Sequence, residues 1–423
     1  MIISMPFNVG IGGFYREYKT IPYIVKRLRD YLDEVELYVP YNAVRALYKY
    51  YLPLCNSEGC AYECAINQME GDLHQIEKES NYNLHINEEM IKKILISWSK
   101  SAEKPLEKIL QLVKSSSVTR SVADRIKQRV IHKNEMDFCK FFSNYFKDID
   151  YIYVTHETVD ALSCAVYFAR KNKASTLCLL HNPPDRHEAV LLKELVESKT
   201  LLALFGVSLA SFNTILNYNL PLFTIFPGNA VELDILKHVR QMKKEGLTIY
   251  FGRISHEKGI PDLLSCWPSV EKLNSEAILL LVGTIESETL KRKIIKYSSK
   301  HRIQWIPPQN REKLMYYVGS SKVFALPSYK EGYSLSILEA LTLGVNVVAY
   351  SIPAIKLLYQ HLPNVMLVDV GDKKRLSEGL TRMLTTNFET NETLEKFLHL
   401  HSSWKNVVNA EIKQLQRVIC SEN

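Results

Sequence analysis

Leu247-Thr-Ile-Tyr-Phe-Gly-Arg-Ile-Ser-His-Glu-Lys-Gly259 is the stretch that decides the fold: a short apolar run stops on a glycine loop that carries two cations. Short, continuously apolar runs mark parallel strands buried on both faces. The pattern recurs downstream at 277–282, stopped by Gly283, and at 323–326, stopped by Pro327-Ser328. It recurs again at 345–350, followed by Ser351-Ile352-Pro353, and at 365–368. Upstream, 35–39 alternates as a strand should, and Gly10, Gly12 and Gly13 form a loop before a helix-spaced run at 18–32. Runs at 151–155, 177–180 and 201–207 end at His156, at His181 and before Ser208, a helix cap by type. Residues 85–147 are mostly helical by pattern, and a second strand series is expected from near Leu222.

Strands alternating with helices predict an α/β protein with parallel sheets covered on both faces. In such sheets ligands sit beyond the carboxyl ends of the strands. That rule selects Gly12, Gly13, His156, His181, Arg253, Gly283 and Glu331, and places a substrate in a cleft between two facing sheets.

At 423 residues the chain exceeds one ordinary core, so two domains are expected. Hydrophobic residues at 46% and charged residues at 23% argue against disorder. No apolar run reaches the roughly 20 residues a spanning helix needs, and the start lacks the pattern of a secretory signal. The expected location is therefore cytoplasmic. The net charge is +7, and eight Lys or Arg against two acids between Lys104 and Lys133 account for nearly all of it. That segment is either a solvated helix face or a contact with phosphates, which makes a peripheral membrane position an expectation. No zinc finger or RNA-reading aromatic motif accompanies it, so nucleic acid is not an expected partner. Cys55, Cys60 and Cys64, with His74 nearby, lack paired CxxC spacing; buried or free thiols are expected there, not a metal. Asp148-Ile-Asp150 precedes its strand, which argues against a metal-binding role.

The chemistry concentrates in Glu331-Gly-Tyr-Ser-Leu-Ser-Ile-Leu-Glu339. Residues 335–343 read as a helix closed by Gly344, with Glu331 on the loop before it and Glu339 one turn inside. Backbone amides at Ser334, Leu335 and Ser336 would point at a phosphate. A carboxylate accepts two hydroxyl hydrogen bonds, the pairing that vicinal diols of a sugar or ribose offer. Arg253 and Lys258, flanked by Gly252 and Gly259, could neutralise a departing diphosphate.

These residues resemble glycosyltransferase family 4, retaining transferases with the GT-B fold. The likeness runs from Gly12-Gly13 through His156 and Gly228-Asn229-Ala230 to Gly252-Arg253, Lys258-Gly259 and Gly283. It continues through Pro327-Ser328, Glu331, Glu339-Ala340 and Ser351-Ile352-Pro353, and Trp404 before a last helix also fits. The resemblance implies two facing Rossmann-like domains and a C-terminal helix crossing back to the first. The expected division is an acceptor domain at 1–222, with a helical insertion at about 52–147, a donor domain at 223–401 and the crossing helix at 402–423. It implies a hexosyltransferase using a UDP-sugar or GDP-sugar, with glucose as a candidate and no essential metal or other cofactor.

Arg253 and Lys258 would bind the diphosphate, Glu331 the transferred sugar and Glu339 the ribose, with His156 near the sugar. The other donor-binding positions would be Gly12, Gly13, Gly283, Gly332, Tyr333, Ser334 and Leu335, and Arg16 and His181 would meet the acceptor. Ser334 departs from the glycine common at its position. Residues 52–147 have no clear counterpart, so the acceptor stays open between a glycan and a polyprenyl-linked oligosaccharide, for protein N-glycosylation or surface-glycan assembly. A related phosphorylase, an epimerase and a non-catalytic binding subunit are the competing readings.

Overall fold

The computed structural model describes residues 1–4, 15–32, 35–38, 139–140, 148–216, 220–231 and 246–421, with scattered positions between 57 and 78. The glycine loop at 10–13, the basic segment at 104–133 and most of the helical reading of 85–147 lie outside the described residues.

Among the described residues, the first lobe holds six strands: β1 (Ile2–Ser4), β2 (Glu36–Tyr38), β3 (Tyr151–Val154), β4 (Ser175–Leu180), β5 (Leu201–Gly206) and β6 (Leu222–Thr224). They lie in the order β2-β1-β3-β4-β5-β6, every pairing parallel. Helices α1 (Tyr15–Leu28), α2 (Val159–Asn172) and α3 (Arg186–Glu197) belong to this lobe. The second sheet runs β12-β11-β10-β7-β8-β9 and is also wholly parallel. Its strands are β7 (Leu247–Phe251), β8 (Ile278–Val282), β9 (Ile303–Ile306), β10 (Val323–Leu326), β11 (Asn346–Tyr350) and β12 (Val365–Val368). Its helices are α4 (Ile260–Leu273), α5 (Glu288–Ser298), α6 (Arg311–Gly319), α7 (Leu335–Thr342), α8 (Pro353–Tyr359), α9 (Lys373–Thr385) and α10 (Glu392–Leu400).

The apolar runs behave as parallel strands should: β10 and β11 are buried along their whole length. The order of the second sheet then locates its crevice. β7 pairs with β8 on one side and β10 on the other, so the chain reverses direction between β7 and β10. Loops that leave such a switch point diverge to opposite faces and open a binding crevice. The loops concerned are those carrying Arg253 and Glu331. In the first sheet the corresponding reversal lies between β1 and β3, which places His156 at its edge.

The last helix, α11 (Trp404–Ile419), follows the second lobe but packs on α1 of the first. Ser403 caps it, its Oγ accepting the Lys405 amide at 3.2 Å. Its inward Glu411 accepts a 2.5 Å hydrogen bond from Arg16 Nη2 and another of 2.5 Å from the Tyr153 hydroxyl.

Two sequence expectations change. Leu222–Thr224 extends the first sheet beside β5 rather than starting the second series. β9 was not foreseen: its middle residues Gln304 and Trp305 are exposed on an edge, so it lacks a continuous apolar run. Cys60 and Cys64 are half-buried and not disulfide-bonded, whereas Cys139 and Cys164 form a disulfide with Cα atoms 5.3 Å apart. Among the described residues, no helix is long and apolar enough to cross a membrane.

Candidate active site

The two loops at the switch point touch backbone to backbone, and glycine makes that approach possible. Gly259, at φ 67°, caps α4, and a Cβ there would fall 1.8 Å from the Pro327 carbonyl oxygen. The Tyr329 amide donates to the Glu257 carbonyl at 2.9 Å and locks the two loops together. Gly283, at φ 148°, lies as close to the Gly252 carbonyl, stacking the turns that follow β7 and β8.

This contact brings Lys258 to Glu331. Their side chains, 18% and 12% exposed, meet at 2.7 Å. A second pair lies on the same lobe: Arg311, at the start of α6, holds Glu339 at 2.8 Å. Burial raises the Glu339 carboxyl above its ordinary value, and Arg311 opposes that rise. Arg253 stands apart from these pairs. It is 57% exposed and leans on Glu257 at 3.3 Å and Glu286 at 3.7 Å, contacts that a polyanion could displace.

α7 begins under tension from its surroundings. Ser334, its cap, takes a left-handed conformation (φ 63°), the one where glycine would be easier. The Tyr359 hydroxyl steadies the turn by donating to the carbonyls of Tyr333 (2.9 Å) and Ser334 (3.1 Å). The Tyr333 ring is buried, with its hydroxyl 2.5 Å from His401 Nε2. Its side chain therefore anchors the loop in the interior.

Gly332 is where the lobes meet. A Cβ on it would lie 1.5 Å from the His181 carbonyl oxygen, and Ser208 Oγ–H donates to the Gly332 carbonyl at 2.7 Å. His181 thus contributes its backbone to the same cleft as Glu331. Its ring stacks edge-on with that of His156, centroids 4.5 Å apart, and its Nε2 lies 2.9 Å from the Thr155 carbonyl.

Beside the two rings lies Glu157, an acid absent from the sequence expectations. It accepts the His181 and Asn182 amides, each at 2.8 Å, and faces His156 Nδ1 at 3.1 Å. Burial alone would raise its carboxyl, but the two histidines and the backbone donor bring it down to about 2. His156, Glu157 and His181 set three donor atoms within 4.8 Å of one another, a group that could hold a metal ion. These atoms already serve the bonds just described.

Arg16 sits elsewhere. It is 3% exposed, giving Nη2 to Glu411 and Nε to the Gly228 carbonyl at 2.8 Å. The expectation that it meets an acceptor conflicts with this burial, because its guanidinium fastens α11 and the inter-lobe segment to the first lobe. Gly12 and Gly13 lie outside the described residues. The structure thus gathers Lys258, Glu331, Glu339, Gly283, Gly332, His156 and His181 along the facing strand ends, with Arg253 at their margin.

Residues 234–397 match the family described as Glycosyl transferases group 1. That match lies in the second lobe and covers less than half of the chain. The glycosyltransferase match spans every strand of the second sheet and both carboxylate–cation pairs. An uncharacterized glycosyltransferase of Haemophilus influenzae is 29% identical over 180 residues, 42% of this chain and 48% of that protein. The chain thus spans about half the length of that relative.

In structure, Anabaena HepE, solved with UDP and glucose, aligns over 99% of both chains with TM-score 0.58 at 14% identity. Sucrose-phosphate synthase from Thermosynechococcus elongatus aligns over 69% of this chain and 80% of its own, TM-score 0.58, at 16% identity. Likeness at this identity establishes the fold: two facing Rossmann-like lobes of the GT-B type, with the last helix returning to the first.

Proposed function

We propose that this chain is a retaining hexosyltransferase that moves a hexose from a UDP-sugar or GDP-sugar to a glycan or polyprenyl-linked acceptor, with glucose the first candidate. The observation that carries this reading is the Lys258–Glu331 pair, set 2.7 Å apart on the two loops at the switch point, next to Gly332, which abuts the His181 backbone of the first lobe. A lone ion pair would be structural. Here the cation and the acid lie on two loops that leave the crevice, beside a second acid, Glu339, held by Arg311.

In this mechanism the donor diphosphate displaces the acids from Lys258 and Arg253, which then stabilise the charge that grows as the glycosidic bond breaks. The amides opening α7 share that load. Glu331, released from Lys258, accepts hydroxyls of the transferred ring, and Glu339, shaped by Arg311, accepts those of the ribose. His156 bonds a sugar hydroxyl, and the leaving phosphate takes the acceptor proton. No metal is required. The 1–222 portion would select the acceptor and 223–401 the donor. The basic segment 104–133 would bring the protein to an anionic membrane surface from the cytoplasmic side, where a polyprenyl-linked acceptor resides.

Thermal shift with a panel of UDP- and GDP-sugars tests donor binding, because a ligand that binds only the folded form raises its midpoint. Product analysis then separates the classes: a transferase releases nucleoside diphosphate only as the acceptor gains sugar. Absence of any stabilising donor, or sugar release to phosphate alone, contradicts the proposal.

A further inference from the structure

We propose that Glu157 is a positioning residue for His156: its carboxylate fixes the imidazole with the proton on Nδ1, so that Nε2 is the nitrogen offered to a hydroxyl of the transferred sugar. The inference rests on the reading of the cleft as a sugar-transfer site.

The argument starts from what a carboxylate can do. Glu157 has a side chain only 4% exposed, and each of its two oxygens accepts a backbone amide, the arrangement that suits a carboxylate. An ionised carboxylate accepts hydrogen bonds and donates none. The ring nitrogen facing it at 3.1 Å must therefore carry the proton, and that nitrogen is His156 Nδ1. The neutral ring then has its lone pair on Nε2.

Glu157 cannot turn to release this constraint. Oε1 is held by the Asn182 amide and Oε2 by the His181 amide, both at 2.8 Å and both from the loop after β4. His181 takes the opposite tautomer for the same kind of reason, since its Nε2 faces the Thr155 carbonyl, an acceptor only. Two stacked imidazoles thus carry their protons on different nitrogens, each dictated by a fixed oxygen.

The carboxylate also reaches the second lobe through the backbone. It pins the His181–Asn182 peptide, and the His181 carbonyl abuts Gly332, the residue after Glu331. One buried acid therefore references both the ring that meets the sugar and the loop that carries Glu331. A partner on the far nitrogen that sets tautomer and ring orientation is a common requirement for functional histidines.

The test uses the full-length protein labelled with 15N at histidine, with imidazole nitrogen resonances assigned by comparison with His156→Ala. In the wild type, at a pH where the ring is neutral, His156 should be protonated at Nδ1 and bare at Nε2. In Glu157→Gln a single amide oxygen replaces the two that hold Asn182 and His181, and the charge that fixes the proton on Nδ1 is gone, so the Nδ1 preference should weaken and the Nε2–H form should be populated.

The same variant should lose about tenfold to a hundredfold in kcat, with donor KM within about threefold of wild type. Adding Glu157→Gln to His156→Ala should cost far less than Glu157→Gln costs alone, because the acid acts chiefly through the ring. A wild-type proton on Nε2, an unchanged kcat in Glu157→Gln, or losses that add in the double variant would overturn the proposal. The tautomer measurement needs no turnover, so it stands apart from any failure to find a donor. It also decides the matter on the wild type should Glu157→Gln fail to fold.

Discussion

In the second lobe Lys258 reaches Glu331 at 2.7 Å and Arg311 reaches Glu339 at 2.8 Å, while the first lobe faces them with two stacked imidazoles steered by one buried acid. Both sets stand at the carboxyl ends of parallel strands, but they are built for different ligands. Paired charges can be exchanged for a polyanion, and they suit a diphosphate flanked by hydroxyls. Imidazoles with a proton position set by fixed oxygens suit single hydroxyls. On the proposed reading, the second lobe would take the leaving group and both lobes would orient the sugar.

The largest effect is expected where the lobes are tied together rather than where they face each other. Glu411→Ala leaves Arg16 buried without its carboxylate and Tyr153 without its acceptor. Breaking a buried pair on one side costs about 3–5 kcal/mol. Chemical denaturation should show that loss, while the variant that remains folded keeps donor KM close to wild type. A change in KM with no loss of stability would mean that Arg16 serves the site after all.

Next comes Glu331→Gln. It keeps the shape of the loop but removes the charge that would hold the transferred ring, and kcat should fall about 100-fold to 1000-fold with little change in thermal midpoint. Equal activity would break the division between the lobes. Arg253→Ala should be milder. Its side chain is largely exposed, so stability should move by no more than about 0.5 kcal/mol. Donor KM in a steady-state assay should nevertheless rise about tenfold, the loss of one charge-assisted bond to phosphate.

The smallest effect sharpens the contrast within the first lobe. Burial lifts the Glu188 carboxyl to about 7, whereas Glu157 is held near 2. Between the ordinary carboxylate range and 7, folded Glu188 keeps a proton that the unfolded chain has lost, so its contribution makes stability fall as pH rises through that window. Glu157 has the opposite sign. Its stabilisation is complete above the unfolded carboxyl's range and fades as pH drops toward 2. Glu188→Gln should flatten the fall between about pH 4.5 and 7 in thermal midpoints measured across pH; an unchanged slope would refute the assignment.

The sequence made the second lobe far easier to read than the first. Its strands are buried on both faces and stop on Gly252, Gly283 and Pro327, so each run and its ligand-facing loop stand out. β9 escaped because an edge strand exposes Gln304 and Trp305 and loses the continuous apolar signature. β6 was given to the wrong series because three residues do not reveal which sheet they join; the register with β5 does.

Among the site residues, Glu331, Glu339 and Lys258 announced themselves by their glycine-flanked loops. Arg311 did not, because nothing local in Asn310-Arg311-Glu312 marks it as the partner of an acid on α7. Glu157 stood beside His156 in plain view, yet an acid at a strand end reads as solvated until the His181 and Asn182 amides are seen to enclose it. Arg16 shows the converse: the resemblance implies an acceptor contact, but its partner Glu411 lies 395 residues away.

The most direct test of the two-lobe account is a crystal structure of the protein with a stabilising UDP-hexose or GDP-hexose. The account predicts the diphosphate against Lys258 and Arg253, the ribose on Glu339, and the hexose between Glu331 and His156. A donor bound away from Lys258 and Glu331, with their 2.7 Å pair left intact, would contradict it.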